Sequence, residues 1–100
     1  MKHLLTIERP VAGHDLDGVP DSWEHVAEEW GDVQPLSGRE YEQAQQMQST
    51  TTHKIRTHLV AGATSAMRLL LGQRVFAVES VRNEGERNRW LLWRCVEGGL

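Results

Sequence analysis

The sequence predicts a mainly β protein: a small barrel of about five to six antiparallel strands, with one short polar helix between the second and third strands. Two observations lead to this fold class. Short runs rich in β-branched and aromatic residues alternate between two faces and are separated by short turns. A single stretch, residues 38–48, combines good helix formers with a capping signal. Closing the strands into a barrel removes the exposed edges that would otherwise promote aggregation.

The composition is typical of one globular domain, and we expect a single domain over residues 1–100. The chain is 39% hydrophobic and 25% charged. Its net charge of -3 argues against a protein whose main task is to grip nucleic acid. Cys95 is the only cysteine, so no disulfide can form within the chain. No apolar run approaches the roughly 20 residues of a membrane span, and the N-terminus is unlike a secretory signal. We therefore expect a soluble protein made inside the cell.

The first two predicted strands flank a loop. Residues 3–8 are short and partly β-branched, and they are stopped by Pro10, which favours a strand. Residues 10–22 hold two prolines, two glycines and three aspartates, which is typical of a loop. Residues 24–34 alternate between two faces, although a helix is possible for their first half. Gly31 favours a strand that bends or bulges at the glycine.

The predicted helix is polar. Ser37 and Glu40 have the spacing of a capping box, in which each side chain accepts a hydrogen bond from the backbone of the other. The β-branched threonines after Ser49 disfavour continuation of the helix. Its few apolar or aromatic side chains are Tyr41, Ala44 and Met47. A stripe this thin cannot make the helix a core element by itself.

The C-terminal half is predicted to hold four strands, at residues 51–59, 66–71, 74–82 and 89–96. The last three are joined by short turns and should form a meander. The chain has four tryptophans, and core packing accounts for one or two of them: Trp30 and one of Trp90 and Trp93. A tryptophan left at the surface is a typical anchor for a partner.

No residue pattern predicts catalysis, a metal or a cofactor. The D-x-D-G sequence of residues 15–18 is similar to the start of a calcium loop, but Val26 stands where the bidentate glutamate should be, so a polar turn is favoured. His25, His53 and His58 lack the spacing of metal ligands. Cys95 lies in an apolar strand and is expected to be a buried packing residue. We expect no enzyme activity.

A charged region around the last hairpin permits an alternative function, a small β-barrel module that binds single-stranded nucleic acid. Interleaved tryptophans, Trp90 and Trp93, would stack on bases. The arginines are Arg82, Arg87, Arg89 and Arg94. Glutamates lie among them, which favours a solvated, salt-bridged hairpin tip instead.

Several segments in a fixed order resemble the phage head–tail joining family, also described as head-closure, stopper or head completion proteins. They are "ERP" after the first strand, Trp23, "EEWGDVQPLSGRE" at 28–40, Ala44–Gln46, "HKIRTH" at 53–58, "MRLLLGQRVFAVESV" at 67–81 and the R-x-R-W-L-L-W-R-C-V-E ending at Glu97. The resemblance covers nearly the whole chain, and the order and spacing are its specific part. The family often has an arginine where this chain has Leu4 and Leu5, and an aromatic residue where it has Thr57 and His58.

The resemblance implies a structural virion protein of a long-tailed phage or prophage. Such a protein is made in the cytoplasm of the host bacterium and assembles as a ring in the virion neck, where it helps to retain packaged DNA. The implied partners are copies of itself in a symmetric, dodecameric ring, the portal or head–tail adaptor protein, and a tail terminator or tail-completion protein. Double-stranded DNA would pass through the channel without sequence-specific binding, and no membrane is involved.

In proteins of this family the segment between the second and third strands, here residues 36–52, tends to point toward the channel or toward neighbouring subunits. We therefore expect contacts from this segment and from the loop of residues 10–23. The helix residues expected to make them are Arg39, Glu40, Tyr41, Gln45, Gln46 and Met47. An ordinary solvated helix remains the alternative for each of them.

Overall fold

The computed structural model describes residues 2–11 and 22–98, which form a closed barrel of six antiparallel strands with one short helix. The elements are β1 (His3–Pro10), β2 (Trp23–Pro35), α1 (Gly38–Gln46), β3 (His53–His58), β4 (Arg68–Leu71), β5 (Arg74–Asn83), a short 3-10 turn (Glu84–Glu86) and β6 (Trp90–Glu97). The predicted fold class is confirmed, including the helix between strands two and three. Within the described ranges, no helix is long and apolar enough to cross a bilayer.

The strands close in the order β1–β2–β3–β6–β5–β4. Pairing of β1 with β4, which sets Ile7 opposite Leu69, completes the circle. Strands β4, β5 and β6 form the predicted meander. Because β3 and β4 are not neighbours, residues 59–67 must cross one end of the barrel. Val60 and Met67 on this link are buried against the core, so the link helps to close it.

The core is built from side chains that alternate with outward ones along each strand. On β6, Leu91, Trp93 and Cys95 are buried, as the alternation predicts. Trp93 is the largest of the fully buried side chains, and its indole Nε1 donates a 2.9 Å hydrogen bond to Oγ1 of Thr57. Thr57 in turn donates a 2.8 Å bond to the carbonyl oxygen of His58. A buried indole N–H would be costly without such an acceptor, so this threonine stabilises the core.

The expectation that Trp30 belongs to the core is wrong. Its side chain lies on the outer face of β2 and is 50% exposed, and its cross-strand neighbour Leu4 is 45% exposed. Alternation along β2 places Gly31, not Trp30, on the inner face. Of Trp90 and Trp93, one of which was expected in the core, it is Trp93 that is fully buried.

Gly31 lies where β2 changes its pairing partner from β1 to β3. A Cβ at this position would lie 2.8 Å from the carbonyl oxygen of Arg56 and 2.8 Å from Cδ1 of Leu5. The glycine thus marks a close approach of backbone rather than the predicted bulge. The register shift of β2 falls elsewhere, opposite β1 between Ile7 and Glu8, where Val26 is the extra residue.

Candidate functional site

Residues 36–52 form an excursion from the barrel wall. The last paired residues of the strands on either side are Pro35 and His53, which face each other in the β2–β3 ladder. Just beyond them, the N–H of Leu36 donates a 3.0 Å hydrogen bond to the carbonyl oxygen of Thr52. The excursion therefore begins and ends at one point, and the barrel determines where it projects.

The capping box at the start of α1 is confirmed. Oγ of Ser37 accepts from the N–H of Glu40 at 3.2 Å, and Oε1 of Glu40 accepts from the N–H of Ser37 at 3.1 Å. Met47 is the C-cap, and the backbone of Gln48 has a φ of 57°. The helix therefore ends two residues before the predicted limit of 48, because the left-handed conformation stops it.

Glu40 also joins the helix to the barrel. Its Oε2 lies 2.6 Å from Nζ of Lys54 on β3. The hydrogen bond from Lys54, helped by the backbone N–H of Ser37, lowers the pKa of the Glu40 carboxyl from 4.5 to about 2. Glu40 was predicted as a contact residue, and in the structure it anchors α1 at its first turn.

Glu79 on β5 anchors the other end of the excursion. Its carboxylate accepts hydrogen bonds from the hydroxyls of Ser49 at 3.1 Å and Thr51 at 2.8 Å, and from Thr50. Burial raises the pKa of Glu79, but these hydroxyls outweigh it, so the pKa lies below its usual value. From the sequence, the threonines were expected only to end the helix and to begin the next strand. Three consecutive hydroxyl donors indicate that an anionic hydrogen-bond acceptor lies nearby. That acceptor, Glu79, is about 30 residues away in the sequence.

The other predicted contact residues lie on the exposed face of α1. Tyr41 is 51% exposed, and its hydroxyl accepts a 3.0 Å hydrogen bond from Nε2 of Gln45. Met47 is 82% exposed, whereas Ala44 is buried. Arg39, Gln45 and Gln46 are also exposed. The helix thus presents two large side chains outward from an element held at both ends.

A groove of about 410 Å³ separates α1 from strands β5 and β6. On the helix side Ala44 and Met47 contribute apolar surface, while Glu79 and Arg94 line the opposite wall. The groove is open and of mixed polarity, which suits a side chain from another protein better than a small apolar ligand.

The structure gives Cys95 no means to act as a nucleophile. It is fully buried, and burial raises the pKa of its thiol to about 12, so the thiol stays protonated at neutral pH. The histidines lie near carboxylates rather than near each other: His25 with Glu28 at 3.9 Å, His53 with Glu97 at 3.7 Å and His58 with Glu29 at 3.2 Å. In the described ranges no group of three side chains could hold a metal ion. The calcium-like sequence at 15–18 and most of the loop 10–23 lie outside those ranges.

The arginine-rich hairpin offers less to nucleic acid than its sequence suggests. Trp93 lies in the core and cannot stack on a base. Trp90 is only partly exposed, because the guanidinium of Arg56 lies 4.5 Å from its ring centroid and the ring of His58 lies 4.5 Å away on centroids. The alternative function therefore loses one of its two tryptophans.

The fold and its surfaces define the class of this protein: a small closed β-barrel with a packed interior and an anchored helix on its outside. Residues 1–98 match the model of the family described as phage head completion protein, and the chain belongs to that family. A comparison with individually curated proteins found no match. Members of this family are structural virion proteins, so this chain has a structural role in completing the phage head, at the head or neck of the virion.

Proposed function

We propose that the protein forms a symmetric, dodecameric ring in the virion neck. The ring lies between the portal or head–tail adaptor protein and the tail terminator or tail-completion protein, and it helps to retain packaged DNA. Its copies form in the host cytoplasm and join the particle there. Double-stranded DNA passes through the channel without sequence-specific binding. The net charge of -3 supports this, because an acidic subunit does not hold phosphates.

The observation that carries the proposal is the exposure of Tyr41 and Met47 on an anchored helix. The fractions exposed, 51% and 82%, are large for residues of this size and hydrophobicity. The ion pair between Glu40 and Lys54 holds one end of the excursion against the barrel. Hydrogen bonds from hydroxyl groups to Glu79 hold the other end. Such a helix loses little conformational entropy when a partner covers it, and this makes an efficient contact element.

A deletion phage complemented with variants of the protein tests the proposal. Without the protein, electron micrographs should show filled heads that lose DNA and carry no tails. The double variant Tyr41→Lys with Met47→Lys should fold, because neither side chain is buried, yet fail to join particles. The reason is that two ammonium groups would have to be desolvated in the contact.

The control variant is Ser65→Lys with Gln73→Lys, which adds the same charge at two exposed turn positions outside α1. It should join particles normally. Incorporation of the helix variant at the level of the control would contradict the role of α1, and tailed, DNA-filled deletion particles would contradict the neck function itself.

A further inference from the structure

Two strand segments of the barrel have one side to which no strand of the described residues pairs. β2 pairs with β1 back to Trp23, but it pairs with β3 only from Gly31 onward, so residues 24–30 have a free side. β5 pairs with β6 up to Asn83 but with β4 only through Ala77, so residues 78–83 have a free side. No further backbone hydrogen bond between described residues reaches either segment. We call these segments the β2 edge (24–30) and the β5 edge (78–83).

The two edges lie on opposite sides of the barrel. In the closed order of strands, β2 and β5 are three positions apart in both directions. A head-to-tail ring requires two different surfaces on roughly opposite sides of each subunit. The edges meet this requirement, and each is six or seven residues long, which is the length of an ordinary strand.

The edges also differ in charge. The β2 edge contains Glu24, Glu28 and Glu29 and has no lysine or arginine, although Glu24 is paired with Arg9 of β1. The β5 edge carries one charge of each sign, on Glu79 and Arg82, and the turn that follows it carries Glu84, Glu86, Arg87 and Arg89. No ion pair joins these three arginines to another described residue. Two β2 edges would bring carboxylates together, whereas the β5 edge has no net negative charge and offers Arg82, which favours a head-to-tail contact over a two-fold dimer of β2 edges.

Each edge contains a register irregularity, at Val26 in β2 and at Glu79 in β5. Bulges and charges are the usual means by which a free edge resists unguided pairing. These features disfavour pairing between free copies.

We infer that the β2 edge of one copy pairs with the β5 edge of the next, forming a strand ladder between neighbouring subunits of the ring. This rests on the ring of the proposed function and assigns its lateral contact. Backbone hydrogen bonds would supply the contact, and the charges would select its partner. Trp30, half-exposed at the end of the β2 edge, would be covered by the neighbour, which accounts for an indole left outside the core.

Disulfide formation between copies tests the ladder. Four residues of the two edges have outward, exposed side chains: Glu28 and Trp30 on β2, and Ser80 and Arg82 on β5. Four double variants, each with one new cysteine on the β2 edge and one on the β5 edge, cover neighbouring registers of the ladder. The native Cys95 is buried and does not interfere. In purified particles, at least one double variant should give covalent oligomers longer than a dimer on a non-reducing gel. Single variants can give dimers at most.

A matched variant, Tyr41→Cys with Arg82→Cys, places the first cysteine on α1 instead. Long oligomers from this variant, with none from the four edge pairs, would overturn the ladder while leaving the ring intact. A single copy per neck would overturn both proposals.

Hydrogen exchange tests the ladder on the unmodified protein, so a folding defect in a cysteine variant cannot affect the result. Within residues 24–30 and 78–83, the amides that point to the free side should exchange at least tenfold more slowly in particles than in the free chain, and unchanged exchange of those amides would overturn the ladder.

Discussion

Thr57 contributes to the core of the barrel through a hydrogen bond with a neighbouring side chain, Trp93. It lies on the inward face of β3 and is fully buried. Its small size leaves room for Trp93, and its hydroxyl is the acceptor for the indole N–H at 2.9 Å. The burial of the Trp93 indole therefore depends on the hydroxyl of Thr57.

At Gly31 we predict that replacement by alanine destabilises the protein. The new Cβ would meet backbone, the carbonyl oxygen of Arg56, at 2.8 Å, and backbone in a closed barrel cannot move aside cheaply. The expected loss in the free energy of unfolding is about 1–3 kcal/mol, measured by urea denaturation.

Gly38 provides the control for that experiment. It is the first residue of α1, and a Cβ there would meet nothing within 4 Å. Gly38→Ala should be neutral or slightly stabilising, since alanine is the better helix former. Equal stability of the two variants would mean that the barrel relaxes around Gly31.

At the scale of elements, α1 depends on local bonds and on its two anchors, because Ala44 alone among its side chains is buried. Removing the cap by Ser37→Ala should therefore loosen the helix without unfolding the barrel. Loss of a cap costs about 1 kcal/mol, which corresponds to roughly fivefold faster amide exchange. The effect should be visible at Tyr41, whose N–H donates to the carbonyl oxygen of Ser37 at 2.8 Å.

Hydrogen exchange by NMR distinguishes this local effect from a global one. Ser65→Ala, an exposed change outside α1, is the control and should leave all amides unchanged. If Ser37→Ala accelerates exchange in β6 as much as in α1, the helix and barrel unfold together and the proposed independence of α1 is wrong.

At the scale of the whole molecule, three carboxylates make stability depend on pH. A hydrogen bond from Lys54 lowers the pKa of Glu40, bonds from Arg74 lower that of Glu97, and hydroxyls lower that of Glu79 despite its burial. Because these pKa values lie below 4.5 in the folded chain, the unfolded chain binds more protons in acid. Stability should therefore be fully present at neutral pH and fall as the pH drops from about 4.5 toward 2.

Urea midpoints between pH 7 and pH 2.5 measure this dependence. The variant Glu79→Gln, which removes one of the three carboxylates, should be less stable than the parent at pH 7 and show a smaller loss on acidification. A midpoint that stays constant down to pH 2.5 would contradict the linkage.

At this scale, folding and assembly also depend on different parts of the molecule. The inward side chains close the barrel, while α1 and the two free strand edges lie outside it and take little part in the core. Substitutions on these surfaces should therefore separate assembly from folding. The particle experiments proposed above depend on that separation.

The sequence by itself determined the kinds of element: about five to six strands, several of them with alternating faces, the capped helix, and the order of segments that resembles the phage head completion family. These signals are local, since period-two alternation and a capping box involve residues only a few positions apart. Only the tertiary structure decided which faces turn inward, and so placed Trp30 outside the core and Trp93, rather than Trp90, inside it. It also brought Glu79 to the threonines after α1 and left the β2 and β5 edges free, because each of these depends on pairing between residues far apart in the chain.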